Sequence, residues 1–264
     1  MRLPISNRGV RSQVDSAVDA ITGGRFVLGV GLGYRDEEFR AFGIAKKERV
    51  GRLVEGVEII KQIWTEDNVT FKGKHFQIER LSVRPRPVQK PRPPIWMGAG
   101  SDVAIKRAAT MADAWIGMGA ATRTTLKRQA ELYAQTRSEA GLPPATRLPI
   151  MLEAYVAPTR EEAWRIGGGP IISKFKSYFT WGLSNTIPEA TEALDAPIEE
   201  LARDRFLIGD VEDAIREVKR HDEELGATDL LIRVQFPGIT QRQVLDTLAL
   251  IGERVISAFK KSVA

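Results

Sequence analysis

Apolar positions recur along this chain with two alternating periods. Val10, Val14, Ala17 and Val18 share one face of a helix predicted over residues 9–20. Thr22-Gly23-Gly24 ends it, because glycine takes the left-handed C-terminal conformation at little cost. The nearly continuous run Arg25-Phe26-Val27-Leu28-Gly29-Val30-Gly31 then reads as a parallel strand covered on both faces. Leu53, Val57, Ile60 and Trp64 predict a long helix over 46–64, and Val69 to Ile78 alternates around Lys72-Gly73 as a small hairpin.

The prolines from Arg84-Pro85-Arg86-Pro87 to Pro93-Pro94 remove donors and fix φ, so this stretch is an extended surface connection. It leads into a strand, Ile95-Trp96-Met97-Gly98, followed by a helix over 102–111 and a second strand, Ala114-Trp115-Ile116-Gly117. A helix from about 122 to 140, a strand over 150–157 and a helix starting near Thr159 continue the alternation. Gly167 to Arg205 has the weakest pattern and reads as an insertion and candidate mobile lid; the whole chain reads as one domain, 1–264, interrupted at about 165–207. Asp210 then caps a helix over 211–224, Asp229 to Val234 forms a strand, and Gln241 to Phe259 a closing helix.

Strands alternating with helices predict an α/β fold with a parallel sheet and right-handed crossovers. An open doubly wound sheet and a closed barrel both fit. Five core strands are expected, near 25–31, 95–98, 114–117, 150–157 and 229–234. A closed eight-stranded barrel would need three further βα units of about 30 residues each.

Composition narrows the function classes. The 264 residues are 43% hydrophobic and 28% charged, the balance of an ordinary soluble protein. The formal net charge of +5 raises the question of a polyanionic partner. Yet the basic residues are spread among acidic neighbours, as in Arg35-Asp36-Glu37-Glu38, rather than gathered on one stripe, so no nucleic-acid partner is expected. The absence of cysteine excludes disulfides, thiolate metal sites and cysteine nucleophiles. Two histidines, His75 and His221, are too few for a multi-histidine metal site, and each reads as a solvated or packing residue, His221 on a polar helix face. No apolar run approaches the roughly 20 residues of a membrane span, and Met1-Arg2-Leu3-Pro4 has no secretory core, so a cytoplasmic protein without a membrane partner is expected.

Candidate chemistry lies at the carboxyl ends of the strands, where parallel α/β folds bind ligands. At the first, Gly31 and Gly33 of Gly29-Val30-Gly31-Leu32-Gly33-Tyr34 would let a flat ring approach the backbone. A dinucleotide fingerprint is not completed there, since the third glycine is absent and acidic residues follow at once. At the second, Gly98-Ala99-Gly100-Ser101 precedes a helix. Its amides, small residues and hydroxyl fit a phosphate site, or equally a tight turn with Ser101 as an ordinary N-cap. At the third, Arg233 and Gln235 face one side of a strand, and Arg233 needs either a structural ion pair or an anionic ligand.

Gly23-Gly24-Arg25-Phe26-Val27-Leu28-Gly29-Val30-Gly31-Leu32-Gly33-Tyr34, with Glu38-Phe39 and Phe42-Gly43, resembles the fourth-strand motif of luciferase-like monooxygenases. Pro94 to Ser101, Arg107-Ala108-Ala109 and Ala112-Asp113-Ala114-Trp115 resemble that family's fifth strand, helix and sixth strand. Phe206-Leu207-Ile208-Gly209-Asp210 and Arg233-Val234-Gln235-Phe236-Pro237-Gly238 are similar to its late segments. The resemblance implies a TIM-type (β/α)8 barrel holding FMN, or an 8-hydroxy-5-deazaflavin coenzyme, at the strand carboxyl ends. Gly98, Ala99, Gly100 and Ser101 would hold the phosphate. Gly31, Gly33 and Tyr34 would lie near the ring or ribityl chain, with Glu38 at the family's nearby acidic position. Some family members place a phosphate-binding arginine where this chain has Leu32, so Arg35 becomes a substitute candidate. Leu3-Pro4-Ile5 resembles the segment after the third strand, so about five of eight strands are expected and no catalytic residue is assignable. The implied activity is an oxidoreductase in which reduced flavin and dioxygen oxygenate an organic small molecule, the flavin supplied by a separate reductase. The alternatives are deazaflavin hydride transfer and a non-catalytic flavin-binding protein. With open sheet edges, a homo-oligomer is expected.

Overall fold

The computed structural model describes residues 8–182 and 196–260. The chain forms two compact units, Met1–Met97 with Met111–Asp113, and Gly98–Thr110 with Ala114–Ala264.

The first unit contains helices α1 (Arg8–Ile21), α2 (Asp36–Ala41) and α3 (Arg49–Thr65), with strands β1 (Leu28–Val30), β2 (Val69–Lys72), β3 (Gln77–Leu81) and β4 (Ile95–Gly98). Strands β1 and β4 pair in parallel, Leu28 opposite Ile95 and Val30 opposite Met97. The strand expected over 25–31 is confined to three residues, and the carbonyl of Phe26 instead accepts from Gln89 Nε2 at 2.7 Å. Helix α3 buries Leu53, Val57, Ile60 and Trp64, as its periodicity requires. Its Ile59 and Ile63 pack with Val69 and Val83 under the antiparallel β2–β3 hairpin. Glu55 holds the hairpin turn: its carboxylate accepts from the backbone amides of Lys74, His75 and Phe76 at 2.9–3.0 Å.

The proline-rich connection is extended, and carboxylates fix it at three points. Buried Asp19 accepts from the amides of Val88 and Gln89 and from Gln89 Nε2. Arg84 and Arg86 both pair with Asp67 and hold its carboxyl well below the usual carboxylate range. Asp113 pairs with Arg92 and accepts from the Ile95 amide, where β4 begins. Proline cannot donate to a ladder, so side-chain acceptors supply the attachment that sheet pairing would otherwise give.

The second unit contains α4 (Asp102–Met111), β5 (Ala114–Ile116), α5 (Arg123–Glu139), β6 (Pro149–Val156), α6 (Arg160–Ala163), α7 (Gly169–Thr180), α8 (Ile198–Ala202), β7 (Phe206–Gly209), α9 (Val211–Leu225), β8 (Asp229–Arg233), α10 (Gln241–Leu250) and α11 (Ile256–Lys260). Five-residue π-turns, Trp164–Gly168 and Ile251–Val255, join α6 to α7 and α10 to α11. Strand β6 is central, with β7 and β8 both parallel to it. Gly117, just after β5, bridges to Ile150 in the same sense.

Both faces of β6 are covered. Leu152, Ala154 and Val156 enter a core with Leu207, Val211, Ala214, Val244, Ile251 and Val255, on the side of α9 and α10. Glu153 and Tyr155 point the other way, toward α6 and α7: Lys174 reaches Glu153, and Gly167 abuts Tyr155. Phe175 of α7 meets Phe206 of β7 edge-on at 5.3 Å. Such double coverage explains why the strand carries apolar residues toward both faces rather than a strict alternation.

The expected extent of the insertion is corrected. The insertion does not extend through residue 207, because Phe206–Gly209 is a wholly buried strand paired with Glu153–Val156. Four consecutive apolar residues carry no periodicity, and the strand exists because β6 offers an edge. Residues 164–180 of the insertion form a π-turn and helix with Ile171, Ile172, Phe175 and Phe179 buried; the part of the lid expectation at 183–195 lies outside the described residues. Neither unit closes a barrel among its described residues. No described helix is long and apolar enough to cross a membrane.

Gly167 tests the packing beneath the π-turn. A Cβ there would lie 2.5 Å from Tyr155 Cβ, an atom fixed to the backbone of β6. Gly167→Ala is expected to lower the unfolding free energy by about 1–3 kcal/mol. An unchanged denaturation midpoint would refute the close approach of the π-turn to β6.

Candidate functional site

The loop before α4 is held from within. Trp115, fully buried, donates its indole Nε1–H to the carbonyl of Ala99 at 2.8 Å. Gln129, on α5 and equally buried, donates from Nε2 to the carbonyl of Gly100 at 2.7 Å. In a trans peptide the C=O of one residue and the N–H of the next point in opposite directions. Anchoring these two successive carbonyls toward the core therefore turns the amides of Gly100 and Ser101 away from it.

Ser101 opens α4 through its carbonyl, which accepts from the amides of Ala104 and Ile105 at 2.9 Å. Its hydroxyl makes no hydrogen bond among the described residues. An ordinary N-cap serine would accept through Oγ from the second or third helical amide. Here the carbonyl takes the Ala104 amide, so the hydroxyl is not used as a cap. Two outward amides, a helix start and a half-buried hydroxyl form an arrangement suited to an anion. Asp102 is exposed beside it, and its carboxylate is held by Arg128 at 3.0 and 3.2 Å.

A charged cluster occupies the carboxyl-side half of β6. Glu153, 6% exposed, receives Lys174 Nζ at 2.6 Å and two donors from Arg233 at the end of β8. Lys174 Nζ also lies 5.1 Å from the ring centre of Tyr178 and 5.0 Å from that of Phe236. Burial pushes the Lys174 amine down from 10.5 to about 8, against the opposing pull of Glu153. Arg233 thus has a structural ion pair, while 42% of its side chain stays exposed. Gln235 is exposed, two residues further on.

In the first unit, Gly31 is exposed, and Gly33 has φ +73°, a conformation that favours glycine. Tyr34 and Arg35 are half-buried. Glu38, within α2, is exposed and pairs with Arg35 at 3.6 Å, joining two of the predicted site residues to each other. His75 packs against Gly51 beside Glu48. His221 packs, as one of its two expected readings had it, but it does not lie on a polar face: it is buried, 4% exposed, with Nδ1 at 2.8 Å from the Glu217 carbonyl, and burial lowers its pKa. The spacing Val211, Ala214, Val218, His221, Leu225 signals that buried face. The described residues include no group of three or more His, Asp or Glu that could hold a metal ion.

Sequence reasoning missed Trp115, Gln129, Glu153 and Lys174 as site-forming residues. Gln129 carries a readable signal, since it falls between Leu126 and Tyr133 on the buried face of α5. Glu153 is likewise an acid inside an apolar strand.

The pattern for luciferase-like monooxygenases matches residues 16–229. An F420-dependent glucose-6-phosphate dehydrogenase of Nakamurella multipartita is 30% identical over 260 residues, covering 94% of this chain and 72% of that protein. An FMNH(2)-dependent dimethylsulfone monooxygenase of Pseudomonas putida is 35% identical over 101 residues; the match covers 37% of this chain and spans only 28% of the relative's length. Among solved structures, the monooxygenase RslO1 from Streptomyces bottropensis superposes with a TM-score of 0.78 at 20% identity, over 97% of this chain and 75% of that one. The oxygenating constituent of 3,6-diketocamphane monooxygenase from Pseudomonas putida, in complex with FMN, gives 0.75 at 21% identity, over 96% and 76%. This chain has the α/β fold of those barrels.

The Lys174 cluster yields a pH test. Between pH 8 and 10.5 the unfolded chain keeps the Lys174 proton while the folded chain releases it. This residue's contribution to stability therefore rises with pH across that window. In urea unfolding at pH 8 and 10, Lys174→Met should remove that increment from the difference between the two conditions. Identical pH dependence in both proteins would contradict the burial of the amine.

Proposed function

We propose, for a chain that belongs to the luciferase-like monooxygenase family, that it is a flavin-dependent oxidoreductase anchoring the phosphate of FMN at Gly98 to Ser101 and oxygenating an organic small molecule. The observation that carries this reading is the inward hold on the Ala99 and Gly100 carbonyls. It leaves two amides and the Ser101 hydroxyl for an anion at the start of α4, where the helix dipole favours negative charge. The residues present fit a phosphate group. FMN, when bound, supplies the redox chemistry with dioxygen. This chain's own part is to grip the phosphate and orient the substrate.

Further assignments in this proposal rest on the resemblance. Gly31, Gly33, Tyr34 and Glu38 are assigned cofactor contacts. Arg233 and Gln235 are assigned to the substrate, with Arg233 steadied by Glu153 and still partly exposed. Arg35, paired with Glu38, is the weaker phosphate candidate because its charge is already matched. A separate reductase as the source of reduced flavin, and a homo-oligomeric state, complete the proposal.

A second reading, hydride transfer with a deazaflavin coenzyme, is supported by the 30% identical relative named as F420-dependent. That coenzyme also carries a phosphate, so the same loop would serve. Turnover that continues without dioxygen favours the deazaflavin reading. A cofactor bound without turnover favours a flavin carrier.

The anchor is tested by titrating FMN and riboflavin against the unaltered chain and Ser101→Ala. Loss of one hydrogen bond, roughly 0.5–3 kcal/mol depending on the charge of the acceptor, should weaken FMN about 2- to 150-fold. Riboflavin, which lacks the phosphate, should be nearly indifferent. Equal losses for both flavins would reduce the loop to a helix start.

A further inference from the structure

We infer that Trp115 and Gln129 are positioning residues that set the orientation of the anion loop, acting on a bound phosphate through the peptide groups of Ala99 and Gly100. This inference rests on the phosphate reading above.

The loop's donors are backbone amides, whose direction is a property of whole peptide planes. Gly98, Ala99 and Gly100 have too little side chain to resist rotation of those planes, and glycine in particular has a wide conformational range. Something outside the loop must hold them. Two buried donors do so, one on each successive carbonyl: the Trp115 indole on Ala99 and the Gln129 amide on Gly100. They come from different elements, β5 and α5, so the planes are fixed from two independent supports.

Gln129 supplies the second, independent observation. It is fully buried, and its Oε1 has no hydrogen-bond partner among the described residues. A buried acceptor without a donor costs roughly 1–3 kcal/mol. A glutamine kept there with half its amide unsatisfied is a poor choice for core packing alone, since an apolar residue would fill the space without that penalty. Its Nε2–H, directed at Gly100, is the feature an apolar residue could not provide. Trp115 is already placed by packing, tilted against Tyr133 at 5.9 Å between ring centres, so its indole N–H meets Ala99 from a rigid base.

A merely structural pair would affect every ligand, or none, alike. A pair that aims amides should affect the phosphate alone. The test uses this chain with FMN and riboflavin as probes, and the variants Gln129→Met, Trp115→Phe and Ser101→Ala. Thermal unfolding identifies variants that have lost the fold, and Gln129→Met, close in volume, is the variant chosen to retain it. The expected result is an FMN dissociation constant raised roughly 3- to 30-fold in Gln129→Met and Trp115→Phe, with that of riboflavin changed less than about twofold. Equal weakening of both flavins would overturn the inference, because the two side chains would then act only through core packing. Selective loss in Ser101→Ala with none in the other two variants would also overturn it, while leaving the phosphate reading intact. If no variant, Ser101→Ala included, separates FMN from riboflavin, the phosphate reading fails and this inference with it.

Discussion

Strand β6 needs cover on both of its faces, and the second unit is arranged to provide it. One face takes the helices that follow β7 and β8, through Leu152, Ala154 and Val156. The other takes the α6–α7 excursion, which inserts Gly167 against Tyr155 and brings Lys174 to Glu153. The glycine at position 167 follows from that demand, since a side chain there would collide with the strand. Glu153 follows too: a carboxylate on a covered face requires compensating charge, and Lys174 and Arg233 converge on it from separate elements. Removing either cation would leave the other to carry the pair.

The legibility of the fold tracks the source of each signal. Strand β4 and helix α4 end where the sequence places their boundaries, because Pro93-Pro94 and the Gly98–Ser101 loop punctuate them chemically. Asp210 was legible as a cap, and its reciprocal bonds with Asp213 complete a capping box. Strand β7 was illegible for the opposite reason. Phe206 to Gly209 has no alternation, and its state is decided by a partner some 50 residues earlier in the chain. Helix α2, six residues with none buried, left no apolar face to detect.

The site shows the same division. Gly98 to Ser101 stand out in the sequence because small residues before a helix suit either a phosphate or a tight turn. The bonds from Trp115 and Gln129 to the carbonyls of Ala99 and Gly100 were not legible, because sequence spacing does not reveal which carbonyl a buried side chain will meet. Glu38 and Arg35, each proposed for a ligand, also pair with each other at 3.6 Å, as opposite charges at this helical spacing commonly do.

The hairpin turn in the first unit invites comparison with the loop before α4. Lys74, His75 and Phe76 aim three successive amides at one point, and Glu55 fills it from the same chain. The hairpin is thus a carboxylate receptor whose guest is covalently tethered. Shortening that guest to alanine would leave those three donors without their acceptor. Acetate or formate in the buffer would then compete for the place, and the local stability of the hairpin would become a function of a small anion's concentration. A structural contact in one context is a chemical-rescue site in the other, differing only in whether the guest is attached.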